Sequence, residues 1–326
     1  MTILLTGGAG YIASHIGLAL KDRQIPFVVL DSLVTGNRAL VPDGVPFVEA
    51  DCGDRAAVEA TVREHKVDVV IHCAGLISVT ESVREPLLYY HANVGASIAL
   101  FEAALAGGAR HILFSSTATV YGAPEADTLD ESLPIAPVNP YASSKAMVER
   151  VLADLSETGR ATAGVLRYFN VAGADRAGRA GQISKESTHL IKIAAEAAIG
   201  KRSHVNVTGT DFATADGTGV RDYIHVSDLA VAHVAAVQRL RSGAPSFTAN
   251  IGYGTGASVL DVLDSVDRVT GTPVPRQMAP RRPGDVARLV ANPARAHSLL
   301  EWTPAHAVLD EIVRDAIAWE RRLAEG

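Results

Sequence analysis

Cysteine is scarce in this 326-residue chain, with only Cys52 and Cys73 present. Two thiols exclude the disulfide framework of a small secreted scaffold, and they exclude a four-cysteine zinc site. A strong excess of either charge is missing too, since 30 Lys and Arg stand against 36 Asp and Glu for a net charge of −6. No basic field is available for a nucleic-acid backbone, and no basic amphipathic stretch suggests a membrane surface. A long apolar run is also lacking, because Glu102 interrupts the stretch Val94–Ala106, which is too short for a bilayer span. Met1 leads directly into an apolar segment with no charged leader before it, so no secretory signal is expected. These absences point to a reduced, cytoplasmic protein. Hydrophobic residues at 48% and charged residues at 20% supply a substantial core and argue against disorder.

What the chain has is concentrated at its start. Ile3-Leu4-Leu5-Thr6 is an apolar run, followed by Gly7-Gly8-Ala9-Gly10-Tyr11-Ile12-Ala13 and an amphipathic stretch from Ser14 to Leu20. A second apolar run, Phe27-Val28-Val29-Leu30, ends at Asp31. Strand, Gly-rich turn, helix, strand and acid form the layout of a dinucleotide-binding βαβ unit. Gly7 permits the tight turn, and Gly10 lets backbone amides approach a pyrophosphate at a positively polarised helix N-terminus. Asp31 stands where a carboxylate accepts both hydroxyls of an adenine ribose and repels a 2′-phosphate, which favours NAD over NADP. The glycine spacing is G-x-x-G-x-x-A, so the turn alone is weak evidence, and its setting between two strands carries the argument.

The pattern then repeats. Phe47–Ala50 predicts a strand ending at Asp51, Arg55–His65 a helix, and Val67–His72 a doubly covered parallel strand. A long helix is expected over Leu87–Ala106, ended by Gly107-Gly108, then a strand His111–Phe114 leading into Ser115-Ser116-Thr117. Residues 124–140 read as a loop, Pro140–Glu157 as a helix and Ala163–Phe169 as a strand. This alternation predicts an α/β doubly wound parallel sheet, a Rossmann domain, over residues 1–169. Residues 170–326 are expected to form a smaller α/β domain for the substrate, with segments around 222–240 packing back on the first. Loops are expected at 173–186, 209–221 and Pro273–Pro283, and helices at Thr188–Ile199 and Leu309–Leu323.

Tyr141 and Lys145 stand at i and i+4 near the start of a predicted helix and share one face. An ammonium beside a phenol is expected to lower the phenol pKa, which suits a tyrosinate base. Tyr-x-x-x-Lys by itself most often marks an exposed helix face. Here Ser115-Ser116-Thr117 ends a predicted strand, where open α/β sheets place their ligands, and Thr117 offers a second hydroxyl. Nucleotide turn, strand-end hydroxyl and Tyr-x-x-x-Lys, in that order, predict hydride-transfer chemistry.

Several longer segments carry a resemblance. They are Gly7–His15, Ala74-Gly75-Leu76, Glu81-Ser82-Val83 with Pro86-Leu87, Phe114–Gly122 and Leu166-Arg167-Tyr168-Phe169-Asn170. In the second half they are Asp216–Val226 and Arg281-Arg282-Pro283-Gly284-Asp285. From end to end the chain resembles the extended short-chain dehydrogenase/reductase family and, within it, the UDP-glucose 4-epimerases. That resemblance implies Tyr141 as the base for the sugar 4-OH, Lys145 as its partner and ribose holder, and Thr117 in the catalytic serine position. It implies that Gly7, Gly10, Tyr11 and Ile12 contact the pyrophosphate of NAD, Asp31 the adenine ribose, and Asp51 and Cys52 the adenine. Ala74, Gly75, Leu76 and Asn93 would line the dinucleotide, together with Ser115 and Tyr168. Asn170, His189, Arg221, Tyr223, Arg282 and Asp285 would hold the UDP, with Phe169 and Leu190 beside them. Leu289 occupies a gatekeeper position that is often tyrosine, and Ile77 replaces a lysine. No metal is implied. Helices 87–106 and 141–157 are expected to pack as an intersubunit four-helix bundle in a homodimer.

Two other readings compete. A nucleotide-sugar 4,6-dehydratase needs an acid–base pair beside the strand-end hydroxyl, and Ala118 and Thr119 stand there instead. A non-catalytic NAD-binding relative would tend to lose the tyrosine or the lysine, and both are present. Under the epimerase reading the plain UDP-hexoses, UDP-glucose and UDP-galactose, are the expected substrates, with weaker activity on N-acetyl sugars.

Overall fold

A computed structural model describes residues 1–184, 187–282 and 285–325 of the chain. Strand β1 (Thr2–Thr6) leads through the glycine turn into the helix Tyr11–Asp22, and β2 (Phe27–Asp31) and β3 (Phe47–Glu49) follow. The helix Arg55–Glu64 connects to β4 (Val67–His72), and β5 (His111–Thr117) and β6 (Thr162–Tyr168) complete the first series. The second half contributes β7 (Asn170–Ala172), β8 (Val205–Thr208), β9 (Val220–His225), β10 (Phe247–Ile251), β11 (Gly256–Ser258), β12 (Arg276–Ala279) and β13 (Arg288–Leu289).

Seven strands form one parallel sheet in the order β10-β6-β5-β4-β1-β2-β3. Side-chain alternation sends Ile3, Leu5, Val29, Val69 and Ile71 into one core and Leu4, Val28, Leu30 and Val70 into the other. Both faces are thus dry, which explains the continuous apolar runs. Each such buried aliphatic stabilises the fold by about 1.5–3 kcal/mol relative to exposure. The helices Tyr11–Asp22 and Val226–Arg241 cover the first face, and the helices Arg55–Glu64, Ala96–Gly107 and Pro140–Glu157 cover the second. Strand order reverses between β1 and β4, and a doubly wound sheet opens a crevice at such a reversal.

Beyond residue 170 the chain contributes to both bodies. The helix Val226–Arg241 packs on Tyr11–Asp22, and β10 pairs with β6 as the seventh strand of the first sheet. The chain thus crosses to the second body and returns before leaving again. That second body holds a sheet in which β9 pairs with β7, β11 and β13, and a two-stranded sheet of β8 and β12. The segment Pro273–Pro283, expected as a loop, contains β12, and the expected loop 209–221 runs into β9. The helix expected over Leu87–Ala106 starts at Pro86, widens into a π-helical turn at Tyr90–Gly95 and continues as Ala96–Gly107. Other boundaries move by a residue or two, as in Leu190–Ala198 for the helix expected from Thr188 to Ile199.

Candidate active site

The glycine turn and the loop after β4 meet at the strand-order reversal. Gly7 has a φ of +67°, and a Cβ added to it would lie 2.7 Å from the Ala74 nitrogen. Gly75 has a φ of +151°, and its Cβ would lie 2.9 Å from Asn93 Oδ1. Both positions therefore need glycine, and the two loops form a narrow backbone-lined cradle. Gly10 caps the helix Tyr11–Asp22 with no side-chain bond, so the first-turn amides of Tyr11 and Ile12 face the cradle without a helical acceptor. The Tyr11 hydroxyl donates instead to the Gly173 carbonyl at 2.7 Å, tying the turn to the second body. Asp31 is buried at the end of β2, where Oδ2 accepts from the Ala9 amide at 2.9 Å and Oδ1 from the Leu33 amide at 2.8 Å. Asp51 is exposed and accepts from the Gly53 amide at 2.7 Å, with Cys52 buried next to it. Asn93, in the π-helical turn, accepts from the Leu76 amide at 2.8 Å and donates to the Leu76 carbonyl at 3.0 Å. An open helix N-terminus, two glycine-only positions and a fixed carboxylate about twenty residues beyond suit a dinucleotide such as NAD.

The helix Pro140–Glu157 brings the next groups. Asn139 caps it by accepting from the Ala142 amide at 2.9 Å, and Pro140 at the first position fixes its start. Tyr141 and Lys145 follow one turn apart. The Thr117 hydroxyl lies near enough to the Tyr141 phenol to lower its pKa. Thr117 Oγ1 accepts from the Thr119 amide at 3.2 Å and lies 3.0 Å from Thr119 Oγ1. Lys145 is buried and donates to the Ser115 carbonyl at 3.1 Å, with Nζ 4.9 Å above the Phe114 ring. The expected electrostatics need correction. Burial pushes the Tyr141 phenol up to about 12, only partly offset by the Thr117 hydroxyl. Burial also holds the Lys145 ammonium down at about 8. Desolvation thus outweighs the one-turn pairing in the chain alone. Ser115 Oγ meets Cys73 Sγ at 3.0 Å, and Tyr168 lies beside His233 with ring centroids 6.0 Å apart.

The second body presents a short sheet to the same region. Parallel register sets Asn170 opposite Tyr223 and Leu289 opposite Arg221. Arg221 and Tyr223 are two residues apart on β9, so all four side chains share one face. Burial lowers the Arg221 pKa, while Tyr223 and Asp285 act in the other direction, which places Asp285 within range of that guanidinium. Leu289 packs in one cluster with Phe169, Ala118 and Tyr121, directly beyond Thr117. His189 immediately precedes the helix Leu190–Ala198, with Nδ1 3.2 Å from the Gln182 amide nitrogen. Arg281 does not join this face: it pairs with Asp211 and stacks 3.9 Å from the Phe212 ring centroid. Arg282 is exposed, and the Asp285 amide donates to its carbonyl at 3.2 Å. Pro283 and Gly284 of that motif lie outside the described residues. No group of three potential metal ligands occurs among the described residues.

Sequence reasoning missed three residues at this centre. Ser144 accepts from Asn93 Nδ2 at 3.0 Å, and Glu149 and Arg167 form a buried ion pair one turn beyond Lys145. The available signal was a carboxylate at i+4 from Lys145 and an arginine inside an otherwise apolar strand.

The comparisons with known proteins agree with this geometry. The family model for the NAD dependent epimerase/dehydratase family matches residues 3–252. A UDP-glucose 4-epimerase of Azospirillum brasilense is 49% identical over 99% of this chain and 93% of the relative. A UDP-glucose 4-epimerase of Stenotrophomonas maltophila, crystallised with NAD and formylated UDP-arabinopyranose, superposes with a TM-score of 0.97. It is 39% identical and covers 100% of this chain and 99% of its own. The UDP-Glc/GlcNAc 4-epimerase of Campylobacter jejuni superposes with a TM-score of 0.86 at 39% identity, over 98% of this chain and 99% of its own. With its sheet order, glycine cradle and Tyr141/Lys145 pair, the chain belongs to the NAD dependent epimerase/dehydratase family.

Proposed function

We propose that this chain is an NAD-dependent isomerase that interconverts UDP-glucose and UDP-galactose at sugar C4. The observation that carries the reading is the meeting of Thr117, Tyr141 and Lys145 at the carboxyl ends of the parallel strands, beside the Gly7–Gly75 cradle. When bound, NAD supplies the hydride acceptor and donor for C4 and a positive ring charge that the chain alone lacks. Tyr141 takes the proton of the 4-OH and returns it, and Thr117 shares the same sugar oxygen. Lys145 holds the ribose and favours the tyrosinate. The product of the first half is a 4-keto sugar, whose ring must turn over before C4 is reduced on the opposite face. Arg221, Asn170 and Tyr223 therefore grip the UDP, with Arg282, Asp285 and His189 closing on it, and the hexose is held loosely. Leu289 walls the hexose pocket with a side chain smaller than tyrosine, which leaves room for weaker activity on UDP-N-acetylhexosamines. Galactose metabolism in the cytoplasm is the corresponding cellular role.

A homodimer belongs to the same proposal. Val83, Leu87 and Leu88 are exposed on or beside one helix and Met147 on the other, with Leu87 at 71%. Such a patch suits the four-helix contact between two copies. Light scattering should give twice the chain mass, and Leu87→Glu with Met147→Glu should give a monomer.

The functional reading is tested by incubating the purified protein with UDP-glucose and, separately, UDP-N-acetylglucosamine. UDP-galactose should form readily and the N-acetyl epimer more slowly. A 4-keto-6-deoxy product would assign a dehydratase instead, and no turnover would assign a non-catalytic relative.

A further inference from the structure

The helix that carries Tyr141 and Lys145 places a third ionisable group on the same face. Glu149 follows Lys145 by one turn and is only 7% exposed. Its partner is Arg167 in the middle of β6, whose Nε donates to Oε1 at 3.0 Å and whose Nη2 donates to Oε2 at 2.5 Å. Ser116 Oγ donates to the same carboxylate. Ser116 lies between Ser115, whose carbonyl receives Lys145, and Thr117. Arg167 Nη1 donates to the Tyr121 hydroxyl at 2.9 Å, and Tyr121 donates to Asn250 Oδ1 at 2.8 Å on β10. The catalytic helix is thereby bonded to three neighbouring strands of the sheet.

A buried ion pair is a poor source of stability, because an apolar pair of similar volume often does as well or better. Its strength is geometric. The planar guanidinium grips both carboxylate oxygens and resists translation and rotation of the helix together. We propose that Glu149 and Arg167 are positioning residues, which through Ser116 fix the register of this helix against the end of β5, and so fix Lys145 at Ser115 and Tyr141 at Thr117. This rests on the reading of Tyr141 and Lys145 as the proton-handling pair. Charge enters as well. The titratable groups that act on the Lys145 ammonium or feel it are the thiols of Cys73 and Cys52 from the loops after β4 and β3, His72 on β4, and Glu149 on its own helix. Glu149 is the carboxylate among them, and it favours protonated Lys145.

The decisive variant is Glu149→Gln, which keeps the shape and leaves the Arg167 cation uncompensated. Its kcat for UDP-glucose should fall about 10–100-fold with KM unchanged, as expected for a misplaced catalytic group. The alkaline limb of its kcat–pH profile should move to lower pH, because Lys145 loses its proton more readily. Arg150→Ala, at the exposed neighbouring position, should keep the wild-type profile. Glu149→Leu with Arg167→Met should recover thermal stability and UDP affinity but remain slow. Should these variants fail to fold, Arg167→Lys keeps the charge, loses the fork and should show the same fall in kcat. The proposal is overturned by wild-type kcat in Glu149→Gln or Arg167→Lys. It is also overturned by full recovery of kcat in the double variant, or by a loss of kcat that only tracks lost thermal stability with an unmoved pH profile. A wild-type enzyme that makes no UDP-galactose would instead overturn the functional reading beneath it.

Discussion

Tyr141 in the chain alone is a poor base, since burial holds its phenol near 12 while Lys145 sits near 8. The two residues are adjacent on one face, as their spacing in the sequence requires, but spacing carries no information about desolvation. Only the packed sheet reveals which effect wins. Catalysis near neutral pH then depends on the positive nicotinamide ring that bound NAD would bring and on the nearby Thr117 hydroxyl, both of which favour the tyrosinate. Tyr141→Phe should lower kcat by about 10²–10⁴-fold and leave the UDP affinity intact. Near-normal kcat in that variant, measured on UDP-glucose, would remove Tyr141 from the mechanism.

Among the elements, the glycine turn tolerates little change. A methyl at Gly7 meets the backbone of Ala74 at 2.7 Å and must also adopt a φ of +67°. The atoms it meets are backbone of Ala74 and Cys73, which cannot swing away as a flexible side-chain end would. Gly7→Ala should therefore separate the turn from the loop after β4 and lose NAD, with the loss read as cofactor released on denaturation per chain. Full NAD content in folded Gly7→Ala would show that the two loops do not form the cradle. The strands of the first sheet were legible because both faces are covered, which leaves runs such as Val67–His72 almost wholly apolar. The strands of the second body were not, because β11 and β13 span two or three residues and β12 begins with the polar pair Arg276 and Gln277 and has no fully buried residue. Their existence depends on partners far along the chain. The placement of Gly7, Asp31, Thr117, Tyr141 and Lys145 at the turn, the strand ends and the helix start was legible from local motifs. Glu149 and Arg167 escaped because a charged pair reveals its function only once both partners are known to be buried.

The whole molecule keeps three histidines neutral in its interior. Burial holds His72 down at about 3 and His15 and His233 at about 4. His72 bridges Thr6 and Ser97 with hydrogen bonds of 2.8 Å on each side, which joins β1 to the helix Ala96–Gly107. Between about pH 6.5, the ordinary histidine value, and pH 4 the unfolded chain binds protons at these positions and the folded chain does not. Stability therefore falls as pH drops through that window, by at most about 1.4 kcal/mol per pH unit for each histidine. Urea midpoints should decline from pH 7 to pH 5, and His233→Leu should flatten the decline. Equal midpoints at both values would contradict the burial of neutral imidazoles.

In the proposed epimerisation, the hydrogen taken from sugar C4 would be kept on NAD and returned to the same carbon. That return is tested most directly with UDP-glucose deuterated at C4, converted in ordinary water by the protein as purified. UDP-galactose should keep its deuterium at C4, with no accumulation of NADH. Loss of the label to solvent, its appearance at C6, or turnover that consumes added NAD would contradict the proposed return.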